Sequence, residues 1–314
     1  MTEATTRNIG PTERLGGRRI VLFIEDGGGD WHSRQLGSAM QAMGARVVVT
    51  TLKACAFDTR FASGLDIPGF DGALPDGAFV RSVSTGSLEQ ITLRLGILHA
   101  LRENGVRVWN DARAIERCVD KSTATFLFQK AGLPVPPTRT GEDVETARRF
   151  LAAEGAPIVL KPLFGSQGNG VTLATSATEI PEPATLGNVY YCQRYLRTPI
   201  ATEFVDWRLL VSRNRVLAAM SRIGRTWITN IHQGAAAAAL QCPPEMTELA
   251  LDATTAVGAD YAGVDLIRDT EGRLLVLEIN SNPAWKGLQS VTSGNIAWML
   301  AHDFLAAVTE AASA

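Results

Sequence analysis

The spacing of apolar positions changes several times along the chain and divides it into elements. Residues 1–17 are polar, carry Thr, Gly and Pro, show no period, and read as a tail. From Arg18 the run RRIVLFIED reads as a buried strand, WHSRQLGSAMQAMG spaces its apolar residues as an amphipathic helix does, and ARVVVTTL reads as a second strand. Strand, helix and strand in that order predict a βαβ start with a parallel sheet. Residues 56–87, rich in Gly, Pro and Asp, read as loop; LEQITLRLGILHALREN follows as a helix and GVRVWN as a short strand, so a first unit closes near Asn110.

Beyond it the pattern alters. DARAIERCVDKSTATFLFQKAG reads as one helix up to Gly132, and PVPPT as an extended connector, because each proline keeps its predecessor out of the helical region. EDVETARRFLAAEG is a further helix. Strands follow at APIVLKPL and GVTLA across a glycine-rich turn, then at VYYCQRYL, DWRLLVS and RVLAAMSR. A helix near PEMTELALDATTAVG, strands AGVDLIR and RLLVLEIN, and a helix GNIAWMLAHDFLAAVTEAA complete the order. There are no internal repeats, and the only low-complexity patch is the alanine run at 235–239.

Composition narrows the class. The 314 residues hold 30 Lys+Arg against 32 Asp+Glu, and 46% are hydrophobic, which excludes a disordered chain and allows one or two cores. The near-neutral balance argues against a nucleic-acid binder and points to small-molecule partners. Cys55, Cys118, Cys192 and Cys242 are scattered without metal spacing, as in a reducing compartment. No apolar segment has the length of a signal or a membrane span, so the expectation is a soluble, cytoplasmic protein without membrane partners.

Two patterns carry chemistry. In KPLFGSQGNG, Lys161 ends a strand and Gly165, Gly168 and Gly170 follow in a loop; glycines let backbone N–H groups converge on an anion and the lysine adds a point charge for phosphate. The lysine precedes the glycines and the flanks are strands, so this is neither a P-loop nor G-x-G-x-x-G. Alone, it equally fits a hairpin turn. The second pattern is Asp265 in AGVDLI with Glu278 and Asn280 in LLVLEIN. Strand alternation places Glu278 and Asn280 on one face, with Leu277 and Ile279 toward a core. Three oxygen donors facing one space suit Mg²⁺, which keeps waters and takes further ligands from nucleotide phosphates; a polar sheet face ending at the turn SNP is the other reading.

Together with NDARAIERCVDK, GLPVPPT, QRYL, DWR, the SR of RVLAAMSR, TNIHQGA and LEINSNP, these patterns make the chain resemble the ATP-grasp superfamily from about Trp31 to Ala297. Within it, the resemblance is to the glutamate ligases of the ribosomal protein S6 modification type. The resemblance implies that Lys121 and Lys161 hold the α and β phosphates and that Gly165 to Gly170, with Ser166 and Gln167, form a flap over the triphosphate. Gln193, Arg194, Tyr195 and Leu196 align with the hinge that binds adenine through its backbone, although the family usually has an acidic residue where this chain has Arg194. Asp206 takes the place of a ribose or substrate contact, with Arg208 on the same face. Arg222 matches the arginine that neutralises the transferring phosphate, and so joins Lys161 as a catalytic candidate. Thr229 and Asn230 match a pair that reaches the nucleotide; Asp265, Glu278 and Asn280 match the metal ligands.

Substrate candidates are Arg225 and Lys286, which also fit a solvated surface, and His232, which also fits a packed structural histidine. Asp30, Trp31, His32 and Arg34 lie at the C-terminal end of the first strand, where open α/β sheets bind ligands; Asp30 as a helix N-cap and Trp31 as a core anchor fit as well.

The implied fold is α/β and α+β: a tail at 1–17, an N-terminal doubly wound parallel-sheet (pre-ATP-grasp) domain at 18–110, and two α+β lobes clamping ATP, at 111–190 and 191–314. The implied activity is a carboxylate–amine ligase using ATP and Mg²⁺, with Mn²⁺ as a substitute, that forms an acylphosphate and then an amide. By resemblance the amine is L-glutamate and the acceptor a small-molecule carboxylate such as a one-carbon cofactor of the tetrahydromethanopterin or methylofuran type, in a dimer or tetramer. A protein C-terminal glutamylation ligase and a non-catalytic nucleotide-binding regulator remain as alternatives.

Overall fold

The computed structural model describes residues 17–26, 28–165, 168–196 and 203–313. Nearly all of the tail expected at 1–17, together with Ser166 and Gln167 of the glycine turn, lies outside them. The chain separates into two compact units, residues 1–112 with 295–314, and residues 113–294.

The first unit starts with β1 (Arg19–Phe23), α1 (Trp31–Ala42) and β2 (Arg46–Thr50), then a small antiparallel pair, β3 (Ala56–Phe57) and β4 (Leu65–Asp66), and continues with β5 (Gly77–Val80), α2 (Leu88–Glu103) and β6 (Arg107–Trp109). Its sheet runs β2-β1-β5-β6, with every pairing parallel, as the βαβ start implies. Strand β5 falls inside the 56–87 stretch read as loop. All four of its residues are buried, so GAFV shows no alternation to mark it.

The second unit opens with α3 (Ala112–Val119) and α4 (Lys121–Lys130). One continuous helix is expected there; Asp120 instead caps α4, accepting from the Ser122 N–H at 2.9 Å and the Thr123 N–H at 3.2 Å, and so sets Lys121 at the first helical position. Then come β7 (Thr138–Gly141), α5 (Val144–Glu154), β8 (Ile158–Lys161), β9 (Thr172–Ala174) and β10 (Tyr190–Arg194), which form an antiparallel sheet in the order β7-β10-β8-β9. Helix α5 ends at Gly155 in the left-handed region (φ 57°), a conformation glycine adopts without strain.

A second sheet, β13-β12-β11-β14-β15, is built from β11 (Phe204–Ser212), β12 (Arg215–Gly224), β13 (Ala236–Ala239), β14 (Tyr261–Arg268) and β15 (Leu274–Asn280). Helix α6 (Pro244–Val257) covers it, and α7 (Lys286–Ser290) follows. The alanine run is thus an edge strand. Met246, Ala250, Ala253 and Val257 of α6, at helical spacing, pack with Leu209, Val211, Val264, Val276 and Ile279 from the sheet and Phe128 from α4.

The last helix, α8 (Ile296–Ala311), packs on α1, β5 and β6 of the first unit. The boundaries read from sequence group it with residues 191–314. Phe304 meets Phe79 and Trp109 at ring centroids of 5.3 and 5.7 Å. The approach requires Gly77, since a Cβ there would stand 2.5 Å from Val308 Cγ2.

Candidate active site

Both sheets of the second unit line one cleft. Lys161 ends β8 opposite Tyr191, and Gln193, two residues further along β10, shares that face. The Lys161 side chain is buried, and its Nζ donates to Gln193 Oε1 at 2.8 Å. Gln193 Nε2 donates in turn to the Tyr191 hydroxyl at 3.2 Å and Thr138 Oγ1 at 3.3 Å, so the amide is oriented with its oxygen toward the lysine. A lysine makes three donations and Lys161 makes one among the described residues. Burial lowers its pKa, as does Lys121, while Glu278 opposes both.

Lys121 reaches the same cleft from α4, donating to the carbonyls of Leu163 at 3.3 Å and Gly165 at 3.0 Å. Its pKa is also lowered by burial, with Glu278 opposing. Of the glycine turn, Gly165 and Gly168 line the cleft, and Asn169 with them; Gly170 is not among the lining residues. Gly168 has φ +74°, and a Cβ there would come within 2.8 Å of Asn230 Oδ1 and Gln233 Nε2 and 2.9 Å of Ile228, so the turn is seated on the loop after β12.

Gln193, Arg194, Tyr195 and Leu196 form one wall. The Arg194 N–H donates to the Pro137 carbonyl at 2.9 Å and the Tyr195 N–H to that of Pro157 at 3.1 Å, while the Leu196 N–H makes no hydrogen bond among the described residues. The Arg194 side chain points to the exposed side, paired with Glu154. Trp227 stands edge-on to Tyr195 at 5.9 Å, and Val159, Val171, Ile267 and Leu277 add apolar surface.

The floor is a buried charge network. Asp206, on β11, accepts from Arg222 Nε and Nη2, both at 2.6 Å, and from Thr229 Oγ1 at 2.6 Å. Asp265, on β14, is opposite Arg208 in register; it accepts from Arg208 Nε, from Nη2 at 2.7 Å, and pairs with Arg222 Nη2 at 3.0 Å. Two carboxylates and two guanidiniums therefore balance. Burial works to raise the Asp265 pKa, and the guanidiniums of Arg208 and Arg222 outweigh it and hold the carboxyl below its usual range.

Glu278 faces Asp265 across the β14–β15 pairing and Asn280 lies two residues on. All three line the cleft. The side chains of Glu278 and Asn280 make no hydrogen bond among the described residues, and two carboxylates with one amide oxygen are hard donors of the kind Mg²⁺ takes. These residues fit a magnesium ion. The alternation expected for Leu277 fails: the register shifts by one between Asp265 and Leu266, and this bulge turns Leu277 into the cleft while Val276 and Ile279 enter the core.

Arg225, His232 and Lys286 are not among the lining residues, and all three are exposed. Asp30, Trp31, His32 and Arg34 belong to the first unit. Asp30 caps α1, accepting from the Ser33 N–H at 2.8 Å and from its hydroxyl at 2.6 Å; burial acts to raise its pKa, but these bonds and His32 take it down to about 2. Arg34 donates to the Gly29 carbonyl at 2.6 Å, and Trp31 is half-buried, edge-on to His32. Trp227, Ile228, Asn169 and Leu277 were not among the residues singled out from sequence, although Trp227 and Ile228 directly precede Thr229 and Asn230.

Two antiparallel sheets closing on a cleft with paired lysines, a glycine turn and an oxygen-donor strand end define an ATP-grasp ligase, an enzyme that forms carbon–nitrogen bonds. The same fold is seen in the ATP-grasp ligase PsnB complexed with minimal precursor, Mg and ADP, at a TM-score of 0.69 and 22% identity over 93% of this chain and 98% of that one. The RimK-like ATP-grasp domain matches residues 118–304, and the chain belongs to that family. It is 34% identical over 235 residues, 73% of this chain and 78% of the relative, to the tetrahydromethanopterin:alpha-L-glutamate ligase of Methanococcus maripaludis. To a probable alpha-L-glutamate ligase of Vibrio cholerae it is 32% identical over 247 residues, covering 76% and 77%. Among the described residues no helix is long and apolar enough to cross a membrane.

Proposed function

We propose that the protein joins L-glutamate to the carboxylate of a small-molecule acceptor, consuming ATP and releasing ADP through an acylphosphate. The observation that carries this reading is the meeting in one cleft of Lys121, Lys161, Arg222, Asp265, Glu278 and Asn280. Two relatives named as glutamate ligases support the amine, and the one named for tetrahydromethanopterin supports a one-carbon cofactor or precursor as acceptor.

In this reading the purine lies against the wall of Gln193, Arg194, Tyr195 and Leu196, between Trp227 and the apolar residues, with the Leu196 N–H free to donate to a ring nitrogen. Lys161 and Lys121 take phosphate oxygens with the donors that remain open, and Gly165 and Gly168 bring backbone close to the triphosphate. Asp206 and Thr229 hold Arg222 in place, so that its positive charge faces the transferring phosphoryl group, whose charge is spread over its oxygens. Asp265, Glu278 and Asn280 would hold Mg²⁺, or Mn²⁺ in its stead, which when bound neutralises phosphate charge. The apolar side chains of Val159, Val171, Trp227, Ile267 and Leu277 help keep water from a reactive mixed anhydride. Asp30, Trp31, His32, Arg34, Arg225, His232 and Lys286 remain candidates for substrate contacts, with Arg208 the one of the group that lines the cleft.

The test is to incubate the protein with Mg-ATP, L-glutamate and a small-molecule extract of the source cells, follow ADP and phosphate, and search by mass spectrometry for metabolites that gain one glutamyl unit. Such a product with stoichiometric ADP establishes the ligase and its acceptor. Release of AMP and pyrophosphate refutes the acylphosphate route.

A further inference from the structure

The carboxylate of Asp265 is already taken. It is 3% exposed, and both its oxygens accept from guanidinium groups, three contacts in all from Arg208 and Arg222. The other two donors read as cation ligands, Glu278 and Asn280, have side chains without hydrogen bonds among the described residues. One member of the oxygen set is thus saturated by positive charge while its companions stand open. A divalent cation bound at Glu278 and Asn280 would meet two guanidiniums on the third donor, and like charges in a low-dielectric site repel strongly.

The two arginines differ in what else holds them. Arg222 is fixed by the bidentate pair with Asp206, both bonds at 2.6 Å, and stays in place if it loses Asp265. Arg208 has no second carboxylate: its Nε and Nη2 both go to Asp265, its Nη1 has no hydrogen-bond partner among the described residues, and its stem rests on Gly263, where a Cβ would stand 3.4 Å from Arg208 Cδ. The fork lines the cleft, and its side chain keeps 12% of its surface exposed. Of the two, Arg208 is the group that can leave.

We infer that Arg208 is a resident cation that occupies Asp265 in the metal-free protein and is exchanged for the divalent ion when the metal–nucleotide complex enters, leaving its fork in the cleft as an anion-binding group. This rests on the proposed reading of Asp265, Glu278 and Asn280 as the cation site. It makes Arg208 a positioning residue with two settings: on Asp265 before the metal arrives, and on an anionic oxygen of nucleotide or acceptor afterwards, where a planar bidentate donor suits carboxylate and phosphate alike. The buried sheet is thereby never left with an unpaired Asp265.

The test is Mn²⁺ binding, read as the loss of the free-ion electron paramagnetic resonance signal, in protein saturated with a non-hydrolysable ATP analogue. If Arg208 competes with the metal, Arg208→Gln tightens Mn²⁺ binding by roughly tenfold or more, since removing a competitor at a partly buried carboxylate raises the metal's apparent affinity. Arg208→Lys, which keeps the charge and loses the fork, gives a smaller gain in the same direction and serves in its place should Arg208→Gln fail to fold. Glu278→Gln is the control on the underlying reading and weakens Mn²⁺. Unchanged or weaker Mn²⁺ binding in the Arg208 variants, with Glu278→Gln weakened, overturns the exchange and leaves Arg208 as a fixed support for Asp265. Unchanged binding in Glu278→Gln removes the cation site itself.

Discussion

Replacing Lys161 with methionine separates nucleotide binding from folding, because the terms acting on the fold oppose each other while those acting on the nucleotide do not. In the free protein the buried ammonium makes one hydrogen bond among the described residues, to Gln193 Oε1 at 2.8 Å, and lies 5.9 Å from the Tyr191 ring centroid. Burial lowers its pKa, so the folded state pays to keep it charged. A methionine of similar volume removes that penalty, yet it leaves the oxygen of Gln193, a residue only 2% exposed, without its donor, which costs about 1–3 kcal/mol. With relief and loss of similar size, the expected change in stability is within about 1 kcal/mol, a melting shift of at most roughly 4 °C for a unit of this size. Nucleotide binding loses a charge-assisted hydrogen bond of about 1.5–3 kcal/mol, so affinity should fall about 10- to 150-fold. Calorimetric titration with a Mg-bound non-hydrolysable analogue, alongside thermal melts of the free protein, reads both quantities. A variant that melts like the wild type and binds within about threefold of it would show that Lys161 serves Gln193 and not phosphate.

Glu278→Gln should abolish turnover with the melt unchanged, because its side chain holds no hydrogen bond among the described residues; activity retained in the steady-state assay contradicts the metal assignment. Asp265→Asn should also abolish turnover, but urea unfolding should show a loss of about 3 kcal/mol or more, since the largely buried Arg208 guanidinium loses its carboxylate and Arg222 keeps only Asp206. Gly168→Ala should raise the Michaelis constant for ATP at least about fivefold, as a residue at φ +74° pressed against Asn230 and Gln233 is both strained and crowded; an unchanged constant refutes the seating of the turn. The folded-state pKa values of Lys121 and Lys161 are lowered, so in the alkaline window below the usual lysine value the free protein carries fewer protons there than the unfolded chain and stability rises with pH. A bound phosphate restores the charge; nucleotide binding in that window should therefore take up protons, seen as a heat of binding that varies with the ionisation enthalpy of the buffer.

What sequence conveyed well is the chemistry whose residue types are costly to place by chance. Lys161 before three glycines, and Glu278 and Asn280 on one strand, declared themselves through charge and spacing, and the structure brings Lys161, Gly165, Gly168, Glu278 and Asn280 to one cleft. The break at Asp120 was written in Asp-Lys-Ser-Thr, an N-cap followed by two hydroxyl residues, but the apolar spacing on either side concealed it. Strand β5 was missed because a fully buried strand of four residues has no polar alternation. Leu277 was misplaced because strict alternation assumes an unbroken ladder, and a bulge depends on the partner strand. Trp227 and Ile228 reach the cleft through the path of a loop, which no periodicity encodes.

The packing of α8 on β5 and β6 also has a bearing on the order in which the protein can mature. Gly77, Phe79 and Trp109 are synthesised early, whereas Phe304 and Val308, which cover them, leave the ribosome only after the whole nucleotide-binding unit. Until then a nascent chain carries a parallel sheet whose β5–β6 part lacks its apolar cover beside α1, a surface that chaperones engage, while residues 113–294 hold the helices and strands that pack their own core. A premature stop shortly before Asn295 would accordingly damage the early-made unit and spare the later one.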